Sequence, residues 1–358
     1  MIYEENGIKW LEHEGKKMKM TCPYFYDITD EEYKNLVSEY YAKPTLEEVD
    51  ENIRSISYGG TNKGVLNRYY INDILSETTL YDAVWSPAEA LRSKEVVGYI
   101  LRYVNVNKKV YDPKDGLLSH LNKSMQLIGA GVCKKAGMFP LQTVDLVLDK
   151  YNVNNNYYDF SCGWGDRLIG SLRNHINYYG TDPNYKLVER LSKMGQRYLR
   201  VTNDTRTTFK IWTTGSEERH PEIENKMGLC FSSPPYFNLE DYKTGNQSWK
   251  PGVEYKDWLN GYMVKTMENC MAYLIDGGYF ILNIKNFSEY DLVGDTKKLA
   301  LEVGFKKVEQ DKVVGRSQRT KIRKNEDDRN KLVDNVEGIM VFLQKPRTQK
   351  SLQVVLEI

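Results

Sequence analysis

Two short stretches carry residue types that could hold a planar ring with an amino group. The first, SSPPYF (Ser232–Phe237), ends the apolar run GLCFSS (228–233) with hydroxyls, prolines and aromatics. Prolines close a strand, so a plain strand-to-loop exit is one reading. A pocket for a flat ring and its amino group is the other. The second stretch, DFSCGWGDRL (Asp159–Leu168), sets Gly163 and Gly165 between an apolar run and a helical pattern. Glycine takes a sharp turn and lets a ligand approach the backbone. In an open α/β sheet such a turn lies where cofactors bind, outside the carboxyl ends of the strands. Asp182 closes the next apolar run, where a ribose-binding carboxylate belongs. Leu168 replaces the third glycine of a G-x-G-x-x-G turn, which favours a nucleoside without phosphates over a dinucleotide.

The elements that must position these residues follow a regular rhythm from about Tyr157. YYDFS (157–161), NYYGTD (177–182), FKIWTT (209–214), GLCFSS (228–233) and YFILNIK (279–285) read as strands. Helical patterns lie between them: RLIGSLRNHI, KLVERLSKMGQRYL (186–199) and WLNGYMVKTMENCMAYL (258–274), the last expected to stop at Asp276-Gly277-Gly278. TKKLALEVG (296–304) adds a helix, and FKKVEQDKVV with GIMVFLQ (338–344) predicts a closing antiparallel pair. This alternation predicts a three-layer α/β domain, a mostly parallel Rossmann-like sheet with a terminal antiparallel hairpin, over residues 136–346. Residues 1–135 read as a mainly helical N-terminal region suited to substrate recognition, and 347–358 as a C-terminal tail.

Composition narrows the functional classes. The 358 residues are 41% hydrophobic and 28% charged, within the globular range. No run approaches the roughly 20 apolar residues of a membrane span, and the charged N-terminus shows no secretory signal. Five cysteines without a CxxC pair and four scattered histidines argue for free thiols in a reducing, cytoplasmic setting and against a metal site. Fifty basic against 49 acidic residues leave no basic excess, so nucleic-acid binding requires local charge segregation.

The motifs DFSCGWG and SSPPYF resemble motifs I and IV of the S-adenosylmethionine-dependent DNA amino-methyltransferases, over roughly residues 138–344. That resemblance implies S-adenosylmethionine as cofactor. Asp159, Phe160, Gly163 and Gly165 would line its methionine part and Asp182 would hold its ribose. The helix in MFPLQTVDLVLDKY, before motif I, occupies the place of the family's motif X. It also implies DNA as partner, with RNA not excluded, in a bacterial or phage-infected cytoplasm. Ser233, Pro234, Pro235 and Tyr236 would be the catalytic set: Ser233 Oγ and the Pro234 carbonyl accept the amino hydrogens, and Tyr236, with Phe237, stacks on a flipped base. Serine in first place favours cytosine N4 over adenine N6. Methylation at cytosine C5 is disfavoured, because it needs a cysteine nucleophile and the chain has no Pro-Cys pair. Competing readings are an enzyme of the same fold acting on RNA or a protein amide, and a non-catalytic nucleic-acid-binding module.

Two further segments complete the expectation. GRSQRTKIRKNEDDRNKL (315–332) holds seven basic and three acidic residues, so Arg316, Arg319, Lys321, Arg323 and Lys324 are candidate phosphate contacts. The loop 238–258, with Tyr242, Trp249, Tyr255 and Trp258, reads either as a mobile cover or as packing aromatics. No nuclease motif is visible in the first 135 residues, which argues against restriction activity in this chain.

Overall fold

The computed structural model describes residues 1–22, 24–80, 83–107, 111–127, 131–286, 288–313 and 338–346. Two compact units emerge: Met1–Met138 with Leu239–Gly245, and Phe139–Asn238 with the described residues from Asn246 on.

The N-terminal unit opens on strands β1 (Ile2–Glu5), β2 (Ile8–His13) and β3 (Lys16–Lys19), an antiparallel sheet that the helical reading had not anticipated. Its cause is local. Asn6-Gly7 and Glu14-Gly15 each take positive φ at both positions, and Glu5 pairs with Ile8 and His13 with Lys16. Those are two-residue turns whose twist matches the strands they join. Helices α1 (Asp30–Tyr41), α2 (Leu46–Ser57), α3 (Gly64–Tyr70) and α4 (Asn72–Glu77) follow. Thr29 and Thr45 start the first two with reciprocal capping boxes to Glu32 and Glu48. After β4 (Thr79–Leu80), the stretch 86–104 breaks into α5 (Pro87–Ala90) and α6 (Lys94–Ile100), each started by a serine cap. α7 (Leu117–Leu127) packs on α1 and α6 around a core that includes Leu36, Trp85, Val97, Tyr99 and Leu121.

The C-terminal unit is the α/β domain. In chain order it runs α8 (Leu141–Tyr151), β5 (Asn156–Asp159), α9 (Asp166–Arg173), β6 (Asn177–Thr181), α10 (Tyr185–Thr202), β7 (Phe209–Trp212) and β8 (Met227–Ser232). A two-residue strand, β9 (Glu240–Asp241), then pairs with β4 inside the N-terminal unit. The domain resumes with α11 (Tyr255–Trp258), a π-helical segment Leu259–Val264, α12 (Lys265–Tyr273), β10 (Leu274–Ile284), α13 (Leu292–Val303), β11 (Lys306–Val313) and β12 (Gly338–Gln344). Among the described residues the sheet has seven strands in the order β11-β12-β10-β8-β5-β6-β7. β10, β8, β5, β6 and β7 are parallel, and β12 runs antiparallel to both its neighbours. This is a mostly parallel Rossmann-like sheet with a closing antiparallel pair, as the alternation predicts.

Two details differ from the sequence expectation. Asp276-Gly277-Gly278 does not end a helix. α12 passes directly into β10, whose pairing with β8 shifts register between Leu274 and Tyr279 around Gly277 at φ +79°. The helix expected over 258–274 is split by its π-helical turn, a feature that recurs at functional sites. No helix among the described residues is long and apolar enough to cross a membrane.

Candidate active site

The reversal of strand order falls between β5 and β8, the pair whose carboxyl ends carry the two motifs. Ligands bind open α/β sheets at such a switch point. The first serine of SSPPYF ties the motifs together: Ser232 Oγ donates to Asp159 Oδ1 at 2.7 Å and approaches the Ser161 carbonyl at 3.2 Å. Fully buried, it leaves Ser233 as the partly exposed hydroxyl of the pair.

The glycine turn is braced from beneath. Asp159, at 0% exposure, accepts Arg167 Nε at 2.9 Å, the Tyr178 hydroxyl at 2.9 Å and the Ser161 N–H at 3.3 Å, besides Ser232. Arg167, 5% exposed, also donates to the Ser161 carbonyl, and the Asp159 charge keeps its guanidinium protonated despite burial. Above this brace Gly163 and Gly165 adopt φ +54° and +76°. A Cβ on Gly165 would lie 2.6 Å from Leu191 Cδ2, and its φ of +76° strains any L side chain. α8 holds the turn's helix from behind, with Val144 against Gly170, and Phe139 N–H donates to Asp166 Oδ2 at 3.2 Å.

These positions correct part of the residue expectation. The Asp159 carboxylate is fully buried and held by Arg167, Tyr178, Ser161 and Ser232. The Phe160 ring, 1% exposed, packs 5.5 Å from Phe280 in the core. Phe237 is not a stacking platform. Its φ is +53°, and its ring is buried 5.3–6.2 Å from the rings of Tyr290, Tyr255, Trp258 and Trp249. In the loop 238–258, Trp249, Tyr255 and Trp258 are accordingly packing aromatics, while Tyr242 belongs to the segment of β9. Arg316, Arg319, Lys321, Arg323 and Lys324 lie outside the described residues.

The remaining motif residues follow the carboxyl ends of β8 and β6. Ser233, Pro235 and Tyr236 are partly exposed just beyond β8, with Pro234 buried between them. The Tyr236 hydroxyl donates to the Asn283 carbonyl at 3.0 Å, and Asn283 Nδ2 donates to Ser233 Oγ at 2.8 Å. Asp182 stands one residue past β6, its Oδ1 accepting the Asn184 N–H at 2.9 Å. Its carboxyl is enclosed, although the residue as a whole keeps some solvent contact. That enclosure, reinforced by the nearby Asp159 charge, raises its pKa to about 7, against the opposing pull of the Asn184 N–H and Arg167.

Three residues escaped the sequence reading. Tyr262, on the π-helical turn, meets Ser161 Oγ at 3.3 Å, and burial pushes its hydroxyl pKa up, with the Glu217 and Asp182 charges adding to the rise. Glu217 follows β7, and its Oε2 is buried with no hydrogen-bond partner among the described residues. Its loop is fixed by Ser216, whose Oγ pairs with Thr266 Oγ1 at 2.8 Å and whose carbonyl accepts Asn269 Nδ2 at 3.0 Å. Asn283 sits in a strand that reads as uniformly apolar. Only an acidic residue just after a strand, as at Asp182, gave a sequence signal of this kind, and Glu217 lies too far past FKIWTT to repeat it.

No protein-family model matches the chain, and no curated protein matches it. Among solved structures it is similar to an S-adenosylmethionine-dependent O-methyltransferase from Thermotoga maritima, at 14% identity and TM-score 0.39 over 60% of this chain and 69% of that one. The cyclase SpnF aligns at 13% identity and TM-score 0.38 over 58% and 81%. The N-methyltransferase NodS from Bradyrhizobium japonicum aligns at 11% and 0.34 over 58% and 93%. Values this low transfer no reaction. The fold assignment stands on the strand order itself.

Proposed function

We propose that this protein transfers a methyl group from S-adenosylmethionine to the exocyclic amino group of a base flipped out of DNA, cytosine N4 ahead of adenine N6. The observation that carries this reading is the Ser232 bridge to Asp159 and Ser161, which sets the glycine turn and the S-P-P-Y segment side by side on one sheet edge. The choice of DNA and of cytosine rests on the motif resemblance.

The chain's own groups fit the cofactor. The backbone of the Gly163–Gly165 turn is where its methionine part would pass. Asp182 would accept the ribose hydroxyls, and the unpartnered Glu217 Oε2 offers an acceptor for an adenine amino group. When bound, the cofactor supplies an electrophilic methyl on a sulfonium. An exocyclic amine is a poor nucleophile because its lone pair is delocalised into the ring. Ser233 Oγ and the Pro234 carbonyl accept its two hydrogens and favour a pyramidal nitrogen whose lone pair is free to attack. Proline fixes φ and so the aim of the carbonyl. Tyr236 stacks on the base, offsetting the few kcal/mol that extrusion costs. Alignment is then the main catalytic contribution; the methylated nitrogen, now cationic and acidic, loses its extra proton to water after transfer, so no strong base is needed.

The Asp182 assignment predicts a pH dependence. A ribose favours the ionised carboxylate, so binding lowers its pKa; affinity is full above about 7 and declines as pH falls through it. Calorimetry with S-adenosylhomocysteine should show binding about tenfold weaker at pH 6 than at pH 8. A flat profile would remove Asp182 from the ribose site.

The function itself is tested by labelled methyl transfer to duplex DNA, single strands, tRNA and protein, followed by digestion of labelled DNA to nucleosides and mass analysis. N4-methylcytosine is expected, with N6-methyladenine the next outcome. Label only in tRNA or protein overturns the substrate, and no label in any of them overturns the reading.

A further inference from the structure

We infer that Asn283 is a positioning residue that holds both ends of the S-P-P-Y segment, Ser233 and Tyr236, through one carboxamide; this rests on the methyl-transfer reading above. The parallel register of β8 and β10 pairs Ser232 with Leu282, which brings Asn283 beside Ser233. Asn283 is 9% exposed, and its strand neighbours Ile281, Leu282 and Ile284 are fully buried. A carboxamide in such a strand is unfavourable unless its hydrogen bonds are made. A leucine would pack there without that penalty, so the amide has local work to do.

The hydrogen-bond network fixes its orientation. The Tyr236 hydroxyl gives its proton to the Asn283 main-chain carbonyl at 3.0 Å, so its oxygen is left as an acceptor. Asn283 Nδ2 lies 3.4 Å from that oxygen and 2.8 Å from Ser233 Oγ. Both amide hydrogens therefore have takers, and the opposite orientation would set a carbonyl oxygen against the Tyr236 oxygen. Two consequences follow for the reacting group. One lone pair of Ser233 Oγ is occupied by Asn283, which directs the remaining one toward an incoming amine. The ring of Tyr236 is anchored at its far end, which fixes the plane on which a base would stack. Neither contact touches substrate directly, so Asn283 acts through Ser233 and Tyr236.

The test uses Asn283→Leu, which removes both N–H groups at similar volume, and Asn283→Asp, which keeps the shape and replaces the donor face with acceptors. Each is made in the whole 358-residue chain, with 3-fluorotyrosine in place of Tyr236 as a fluorine NMR probe. Both variants should lower kcat by roughly 10- to 100-fold, while KM and S-adenosylhomocysteine affinity stay within about threefold. In both, the fluorine resonance should move or broaden. A kcat within about twofold of the parent, together with an unchanged resonance, overturns the inference. If Asn283→Leu fails to fold, the Asp variant decides the matter by the same readouts. If the parent transfers no methyl to any substrate, the methyl-transfer reading falls, and the fluorine comparison alone decides: a displaced resonance supports the anchoring and an unchanged one overturns it.

Discussion

Tyr236→Ala is expected to lower methyl transfer about 100-fold while leaving S-adenosylhomocysteine affinity within about twofold. The ring is partly exposed at the end of the S-P-P-Y segment and tied down at its hydroxyl by Asn283. Base–aromatic stacking is worth about 1–3 kcal/mol, and losing the fixed plane also loosens the alignment of the amine with the methyl. Together these reach about 3 kcal/mol, which is the stated loss in rate. Tyr236→Phe separates the two contributions. It keeps the stacking face and loses the anchor, so its rate should fall between the other two. Steady-state kinetics beside calorimetry makes the measurement. A parallel loss of cofactor affinity would place Tyr236 in the cofactor pocket instead.

Arg167→Leu should destabilise the protein by about 3–5 kcal/mol, because it leaves a buried carboxylate without its counter-charge. Asp159 is fully buried and Arg167 nearly so, so solvent does little to screen the pair. The Tyr178, Ser232 and Ser161 donors remain on Asp159 and hold the loss within that range rather than beyond it. Urea unfolding with a shifted midpoint and an unchanged slope is the expected signature. The same substitution should weaken ligand binding, since Arg167 also holds the Ser161 carbonyl inside the glycine turn. A stability change below about 1 kcal/mol would show that the pair is not what braces the turn.

The fold was legible because it is written in periodicity. Short apolar strands alternating with amphipathic helices leave little choice but a parallel sheet, and the lack of a helical pattern in the sequence before the last strand points to an antiparallel closing pair. The placement of Gly163, Gly165, Ser233, Tyr236 and Asp182 at one sheet edge followed from the same pattern. Side-chain direction did not. Phe237 is buried among Trp249, Tyr255, Trp258 and Tyr290 and takes a left-handed φ, which no motif announces. Asp159 reads as a ligand residue until Arg167, the second residue of α9, is seen to claim it. Asn283 is a single amide in an apolar run, and its value depends on a register with β8 that only the paired sheet reveals. The first N-terminal hairpin carries a strong turn signal in Asn6-Gly7, although the charged residues around it blur the strand pattern.

A crystal structure of the protein with S-adenosylhomocysteine tests the central claim most directly. The account predicts the ligand's sulfur between the Gly163–Gly165 backbone and Ser233, with its ribose hydroxyls on Asp182. Ligand density away from that edge, or an adenine ring seated on Tyr236, would contradict it.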